Sequence, residues 1–413
     1  MRADPRPAAV VVGLDCITGL QTSRLLAARG IPVIGIAANP GHFCARTRAT
    51  ERVIAAPTSG PALISALHTL AAELPAPGSA FLLPCTDLAV LTISEARDNL
   101  PAAYRFVLPE HGLLVRLVDK VGFAELAVEH DLPIPATMII RDRADAERAA
   151  ATLAFPVVVK PPIKSPEWLA GARTKAFRVE DAQALVALAE RAMAWTDVLI
   201  AQSWIGGGED RLISCNAYFG RDGKPLATFM AGKIRQWPLE TGTASLSEEI
   251  RDDEALDVTV RMFTSVGYRG LAYLEVKRDV QTGTLGIIEP NLGRPTGRSA
   301  IAERGGVELL LTAYADALGL PLPVNRTQSY VGAKWIYWRH DLQATAVRMW
   351  RGELTPRQWL RSLHGRPVEA VGSLRDPLPF ILDSAGAVRS AFYAIARRVG
   401  GRASRTVPVA ARR

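Results

Sequence analysis

Two short apolar segments, residues 271–277 (LAYLEVK) and 285–291 (LGIIEPN), flank a Gln281-Thr282-Gly283 turn and constrain this chain more than any other part of it. Both carry the β-branched, aromatic and aliphatic residues of strands. So short a connection makes them antiparallel neighbours. That pairing brings Glu275 beside Glu289. Two carboxylates so close repel each other unless a cation lies between them. With the amide oxygen of Asn291 they form an all-oxygen donor set suited to Mg²⁺, a hard ion that keeps waters and binds substrate phosphates. The next residues are Gly293, Arg294, Pro295, Thr296, Gly297 and Arg298. Such a turn offers two guanidinium groups to a carboxylate or phosphate. Acidic pairs on neighbouring strands are often plain surface pairs, but the amide and the arginine turn favour a metal site.

The rest of the chain supplies the frame. Residues 10–13, 31–36 and 81–84 read as strands and alternate with helical patterns at 19–29 and 87–99. That order implies a parallel sheet with crossover helices. The loop from Gly13 to Gly19 lacks the closely spaced glycines of a dinucleotide fingerprint, which argues against NAD or FAD there. A second unit begins near Arg116, with a helix opened by Asp119-Lys120 and broken at Leu132-Pro133-Ile134-Pro135. Residues 155–160 (FPVVVK) form a strand with Lys160 at its end, where the ammonium must reach solvent or an anion. Residues 175–179 are placed to pair with it. A helix is expected at 181–194, and strands at 198–205, 212–219 and 227–233. Gln202-Ser203-Trp204-Ile205 leads into Gly206-Gly207-Gly208-Glu209, a hinge whose backbone groups are free for a planar base and whose Glu209 can accept from a sugar hydroxyl.

Charge is uneven. The chain is +8 overall, and residues 331–413 hold 15 Lys/Arg against 5 Asp/Glu, leaving the rest of the chain at −2. A basic C-terminal region suits an acidic partner or an anionic membrane face, and equally a solvated arginine-rich surface. Helices are expected there at 355–363 and 387–399, with a frayed end at 400–413. No apolar run is long enough to span a bilayer. The polar start lacks the order of a secretory signal, and the four cysteines form no CxxC pair, so a cytoplasmic protein with reduced thiols is expected. No aromatic residues interleave with basic ones in a nucleic-acid module.

In this order these residues resemble the ATP-grasp superfamily: Asp119-Lys120, the Leu-Pro-Ile-Pro break, Val159-Lys160, the hinge strand with its downstream Glu, then carboxylate, carboxylate, asparagine. Glu289-Pro290-Asn291-Leu292-Gly293-Arg294 looks like the family's E-x-N metal motif, and the resemblance covers about residues 1–325. It implies mixed α/β and α+β architecture: a flavodoxin- or Rossmann-like preATP-grasp domain at 1–115, a two-lobed ATP-grasp domain at 116–325 with its hinge near 202–209, and a basic, partly helical extension at 326–413. It assigns Lys120, Lys160 and Lys233 to ATP phosphates. Gln202, Ser203, Trp204 and Ile205 go to the adenine edge, and Glu209 to the ribose. Glu275, Glu289 and Asn291 take two Mg²⁺, or Mn²⁺ in their place. Arg294 and Arg298 lie near the acyl phosphate.

Two features depart from the family pattern. The phosphate-covering loop at 161–174 has only Gly171, and the arginine falls three positions after the asparagine rather than two. The segments around Lys233 and Glu289 look most like carboxylate–amine ligases related to D-aspartate ligases. That implies an ADP-forming ligase for small-molecule or carrier-linked acids and amines. A phosphotransferase, an acid–thiol ligase or a nucleotide-binding protein without ligase activity are the other outcomes, and peripheral membrane attachment or a homodimer is compatible with each.

Overall fold

The structure, a computed structural model, describes residues 6–162, 165–172, 174, 176–239, 242–297 and 299–389. The first sheet holds β1 (Ala8–Val12), β2 (Val33–Ala37), β3 (Arg52–Ala55), β4 (Ala80–Pro84) and β5 (Tyr104–Arg105), in the order β3-β2-β1-β4-β5. Every pairing is parallel. Val10 and Val12 pack to one side with Leu63 and Leu67, while Ala9 and Val11 pack to the other with Leu20 and Leu26. Burial on both faces explains why β1 reads as an unbroken apolar run. The edge strands β3 and β5 were not expected. One is half-exposed and the other is two residues long, so neither carries a periodic signal.

A second sheet holds β6 (Thr137–Ile140), β7 (Val157–Lys160), β8 (Phe177–Val179) and β9 (Leu199–Ser203) in the antiparallel order β6-β9-β7-β8. The helices Arg143–Thr152 and Ala182–Ala192, each capped at its start by an aspartate side chain, share its separate core with Val157, Val159 and Trp168.

The third sheet is the largest: β10 (Leu212–Phe219), β11 (Pro225–Trp237), β12 (Thr243–Glu249), β13 (Gly270–Arg278), β14 (Leu285–Leu292), β15 (Ala333–Ile336) and β16 (Arg366–Glu369). Their order is β14-β13-β10-β11-β12-β15-β16, antiparallel except for the parallel pair β15-β16. β11 runs well past the expected end at 233. Its register slips between Lys233 and Arg235 and again before Gln236, so all three polar side chains turn inward and are buried.

The basic C-terminal region is not simply appended. As far as Glu369 it joins this sheet through β15 and β16, and the helix Trp338–Trp350 packs against β11 and β12. Trp335 donates to Gln21, Gln21 donates to the Ala370 carbonyl, and Arg24 grips Asp376 and the Val371 carbonyl. Four-residue strands amid arginines leave no readable alternation, which is why only helices were expected there. The helix expected at 355–363 is Pro356–Ser362. Of the helix expected at 387–399, the part beyond 389 lies outside the described residues, as does the 400–413 end. Among the described residues no helix is long and apolar enough to cross a membrane. The four cysteines are free thiols, and three of them are buried.

Candidate active site

Two cavities meet at the C-terminal end of β14. The first, about 300 Å³, lies between the four-stranded and seven-stranded sheets, with Lys120, Lys160, Thr137 and Gln202 on one side and Glu289 and Asn291 on the other. The second, about 340 Å³, shares Glu289 and Asn291 and adds Lys233, Tyr273, Glu275 and Arg294.

The strand alternation of β7 and β9 turns Lys160 and Gln202 to the same face, with Val158 paired to Gln202. Lys160 Nζ donates to Gln202 Oε1 at 3.2 Å, and Gln202 Nε2 donates to Thr137 Oγ1 at 2.9 Å. Lys120 opens the helix Lys120–Glu129 under an Asp119 cap and donates to the Pro162 carbonyl. The first cavity therefore has two ammonium groups on one wall and a carboxylate on the other.

β13 and β14 pair with Glu275 opposite Glu289, and their register slips by one just beyond that pair. The bulge sits beside the site, where such irregularities re-aim side chains. Glu289 is exposed to the cavity, while Glu275 is largely enclosed. Burial pushes the Glu275 carboxyl above its ordinary range; Lys233, 3.6 Å away, opposes that shift and Glu289 adds to it. Tyr273 donates to Glu275 at 3.0 Å and Lys233 to Gln236 at 3.1 Å. Asn291 Oδ1 accepts from Arg294 at 2.8 Å, and Arg294 is braced by Asp87. An amide oxygen has two lone pairs, so this bond leaves one for a metal. Gly293 makes the turn possible. Its φ is +66°, and a Cβ there would stand 2.6 Å from both Leu108 and Val90.

The donor set fits magnesium in its chemistry. Two repelling carboxylates and an amide oxygen are hard ligands, and a dication would relieve the strain on Glu275. Among the described residues no group of three or more His, Cys, Asp or Glu side chains is placed to enclose a metal.

The hinge differs from expectation. Ser203, Trp204, Ile205 and Glu209 line neither cavity. Nor are the hinge backbone groups free. The Gly206 N–H donates to Asp279, Ser203 N–H to the Ala136 carbonyl, and Lys277 Nζ reaches the carbonyls of Ile205 and Gly207 at 2.8 and 2.7 Å. Lys277 also stands 5.1 Å from the centre of the Trp204 ring, with Arg178 at 4.9 Å. Glu209 is buried, and Arg348 donates to it at 2.7 Å. Burial raises the Glu209 pKa against the pull of Arg348. Arg298 lies outside the described residues, as does part of the 161–174 loop.

Lys277 was legible in principle: Tyr273, Glu275 and Lys277 alternate on one face of β13. Arg348, more than a hundred residues from Glu209, carries no such signal.

No protein-family model matches the sequence. D-aspartate ligase of Enterococcus faecium is 26% identical over 229 residues, covering 53% of this chain and 54% of that protein. D-alanine–D-alanine ligase of Ectopseudomonas mendocina is 26% identical over 187 residues, 42% of this chain and 55% of that protein. The chain thus spans about half the length of the curated relatives it matches. Among solved structures, N5-carboxyaminoimidazole synthetase from Staphylococcus aureus superposes with a TM-score of 0.59 at 13% identity, over 77% of this chain and 79% of that one. The biotin carboxylase domain of Hydrogenobacter thermophilus 2-oxoglutarate carboxylase, solved with MgADP and bicarbonate, gives 0.59 at 15% identity over 78% and 71%. The chain has the ATP-grasp fold. The second cavity opens toward the helix Ile17–Ala27, whose Ile17 and Thr18 line it.

Proposed function

We propose that this chain is an ATP- and Mg²⁺-dependent ligase that joins a carboxylate to an amine through an acyl phosphate. The observation that carries this reading is the shared wall: Glu289 and Asn291 face Lys120, Lys160 and Gln202 on one side and Lys233, Glu275 and Arg294 on the other. One cavity suits a nucleotide, and its neighbour suits the acid that receives the phosphoryl group.

In this reading residues 1–115 form the preATP-grasp domain, 116–325 the ATP-grasp domain and 326–413 the C-terminal region. Lys120 and Lys160 hold phosphate oxygens, Gln202 meets the base, and Glu209 with the 203–205 backbone completes the nucleotide site once the hinge rearranges. Magnesium at Glu275, Glu289 and Asn291, as two ions or one, would neutralise charge on the phosphoryl oxygens. Lys233 faces the triphosphate and Arg294 fixes the substrate carboxylate for attack, so that positioning and fixed charge supply most of the acceleration. Arg294 then faces the oxyanion of the tetrahedral intermediate, and amide, ADP and phosphate leave. The D-amino-acid ligases among the relatives favour amino acids as first substrates to screen.

The test is ADP release from wild type and Glu289→Gln across acid–amine pairs, with Mg²⁺ titrated. The reading expects substrate-dependent release that collapses in the variant. Turnover by the variant with unchanged Mg²⁺ dependence would sink the metal assignment. Wild-type hydroxamate formation with hydroxylamine separates acyl transfer from direct phosphotransfer.

A further inference from the structure

The second cavity has a wall built from beyond residue 325, outside the segment whose motifs match the family. Trp335, Tyr337 and His340 form it, facing Glu275, Glu289 and Arg294 across the space. Tyr337 and His340 sit at the start of the helix Trp338–Trp350, their rings 4.4 Å apart. Tyr337 donates to Asp383 at 2.9 Å, and Arg339 grips the same carboxylate at 2.6 Å. This clamp fixes the first turn of the helix and, with it, the imidazole. His340 Nδ1 is enclosed and has no hydrogen-bond partner among the described residues. Nδ1 is shut off from the cavity, so any proton exchange with a molecule held there falls to the other ring nitrogen, Nε2.

An amine at neutral pH arrives as an ammonium ion and has no lone pair for attack. Some group must take its proton. Lys233 and Arg294 are cations committed to Glu275, Gln236, Asn291 and Asp87. Tyr273 donates to Glu275, and Tyr337 is a buried phenol that donates to Asp383. Glu275 and Glu289 are occupied by the metal in the proposed mechanism. Among the described residues, His340 is the side chain left in this wall with a basic lone pair. Burial and the neighbouring Arg339 hold its pKa down while Asp383 opposes them, so the ring is neutral at pH 7. Among the described residues, Lys233, Glu275, Glu289 and Arg294 are the charged groups that line the cavity with it.

We propose that His340 is the general base that deprotonates the attacking amine, making the Trp335–His340 wall the amine subsite. This rests on the ligase reading above. The ammonium gives one proton to the imidazole. The freed nitrogen pair forms the C–N bond at the acyl carbon, and the acyl C–O bond to the phosphoryl group breaks, its electron pair leaving with phosphate. The second amine proton goes to the departing phosphate. No oxidant or further reactant is needed.

The experiment compares wild type, His340→Gln and His340→Ala at pH 7 with two nucleophiles: hydroxylamine, already neutral, and the amino acid (D-alanine, D-aspartate or glycine) that the screen selects. Thermal unfolding verifies that each variant is folded. The expected result is a ratio of amide to hydroxamate lowered by about 10²- to 10⁴-fold in both variants. Added imidazole, or a pH raised toward the amine's own pKa, should restore it. An unchanged ratio, with both reactions falling together or neither falling, would overturn the assignment. Absence of hydroxamate from wild type with every acid tested would instead overturn the ligase reading, and this inference with it.

Discussion

Glu275 and Glu289 stand directly opposite each other in the register of β13 and β14, with Lys233 3.6 Å from the first. The arrangement is unfavourable for the empty protein and favourable once a dication arrives. Replacing Glu289 by Gln removes that repulsion. In EDTA the variant should unfold at the wild-type temperature or above it, whereas added Mg²⁺ with nucleotide should stabilise it less than wild type. Substrate-dependent ADP release should fall by at least ~10²-fold. Calorimetry with and without Mg²⁺, beside the ADP assay, checks both halves. A variant destabilised in EDTA would mean that Glu289 makes a net stabilising contact in the metal-free protein, contrary to this reading.

Lys277 ties β13 to the hinge through the carbonyls of Ile205 and Gly207. Burial, with Arg178 and Lys233 nearby, lowers its pKa below the ordinary lysine value, yet Asp279 and Asp210 favour the charged form. Substituting Met keeps the stem and removes both charge-assisted bonds, each worth about 1.5–3 kcal/mol. The expected outcome is faster hydrogen exchange in residues 205–208. With it should come a rise of about tenfold in KM for ATP and little change in kcat, the loss falling on ground-state binding.

Much of this could be read from the chain alone, and the failures have physical causes. The parallel sheet and the Glu275–Glu289 hairpin are local: apolar runs and a short turn specify them, so periodicity finds them. Lys120, Lys160 and Gln202 sit at strand and helix ends whose alternation or capping fixes their direction. What escaped was long-range or irregular. The bulges that turn Lys233, Arg235 and Gln236 inward leave no trace in a strand pattern. The glycine hinge looked free because Asp279 and Lys277, which occupy its backbone, lie some seventy residues away. β15 and β16 are too short to alternate visibly, and so His340 went unnoticed beside the site.

Stability should fall as pH rises toward neutrality, in part through Glu303. Burial raises its carboxyl from 4.5 to about 7, with the neighbouring Arg29 opposing the shift. A carboxyl with a raised pKa binds its proton more tightly in the folded state. Its contribution is therefore complete below pH 4.5 and is lost as pH climbs to about 7. The loss is on the order of 3 kcal/mol at ~1.4 kcal/mol per pKa unit. Glu369, also raised to about 7 by burial, should act in the same direction. Glu303→Gln should flatten the decline of the unfolding temperature across that window, measured by thermal melts at fixed ionic strength. An unchanged slope would show that Glu303 does not titrate there.

Arg235 and Asp341 form the pair that fastens the C-terminal helix to β11. Arg235 Nε and Nη2 reach the two carboxylate oxygens at 2.8 and 3.1 Å, and Trp359 and Ser245 donate to the same group. Both side chains are buried, at 3% and 0% exposure. Removing one partner strands the other charge in the interior, which costs about 3–5 kcal/mol. Asp341→Ala should therefore destabilise by that amount in urea. Because the same helix carries His340 and Arg348, it should also weaken turnover even where the protein remains folded. Replacing both partners together, Arg235→Met with Asp341→Leu, removes the stranded charge and should recover much of the stability. If instead the costs of the two single changes simply add in the double variant, the two side chains are not coupled and the helix is held chiefly by its apolar contacts.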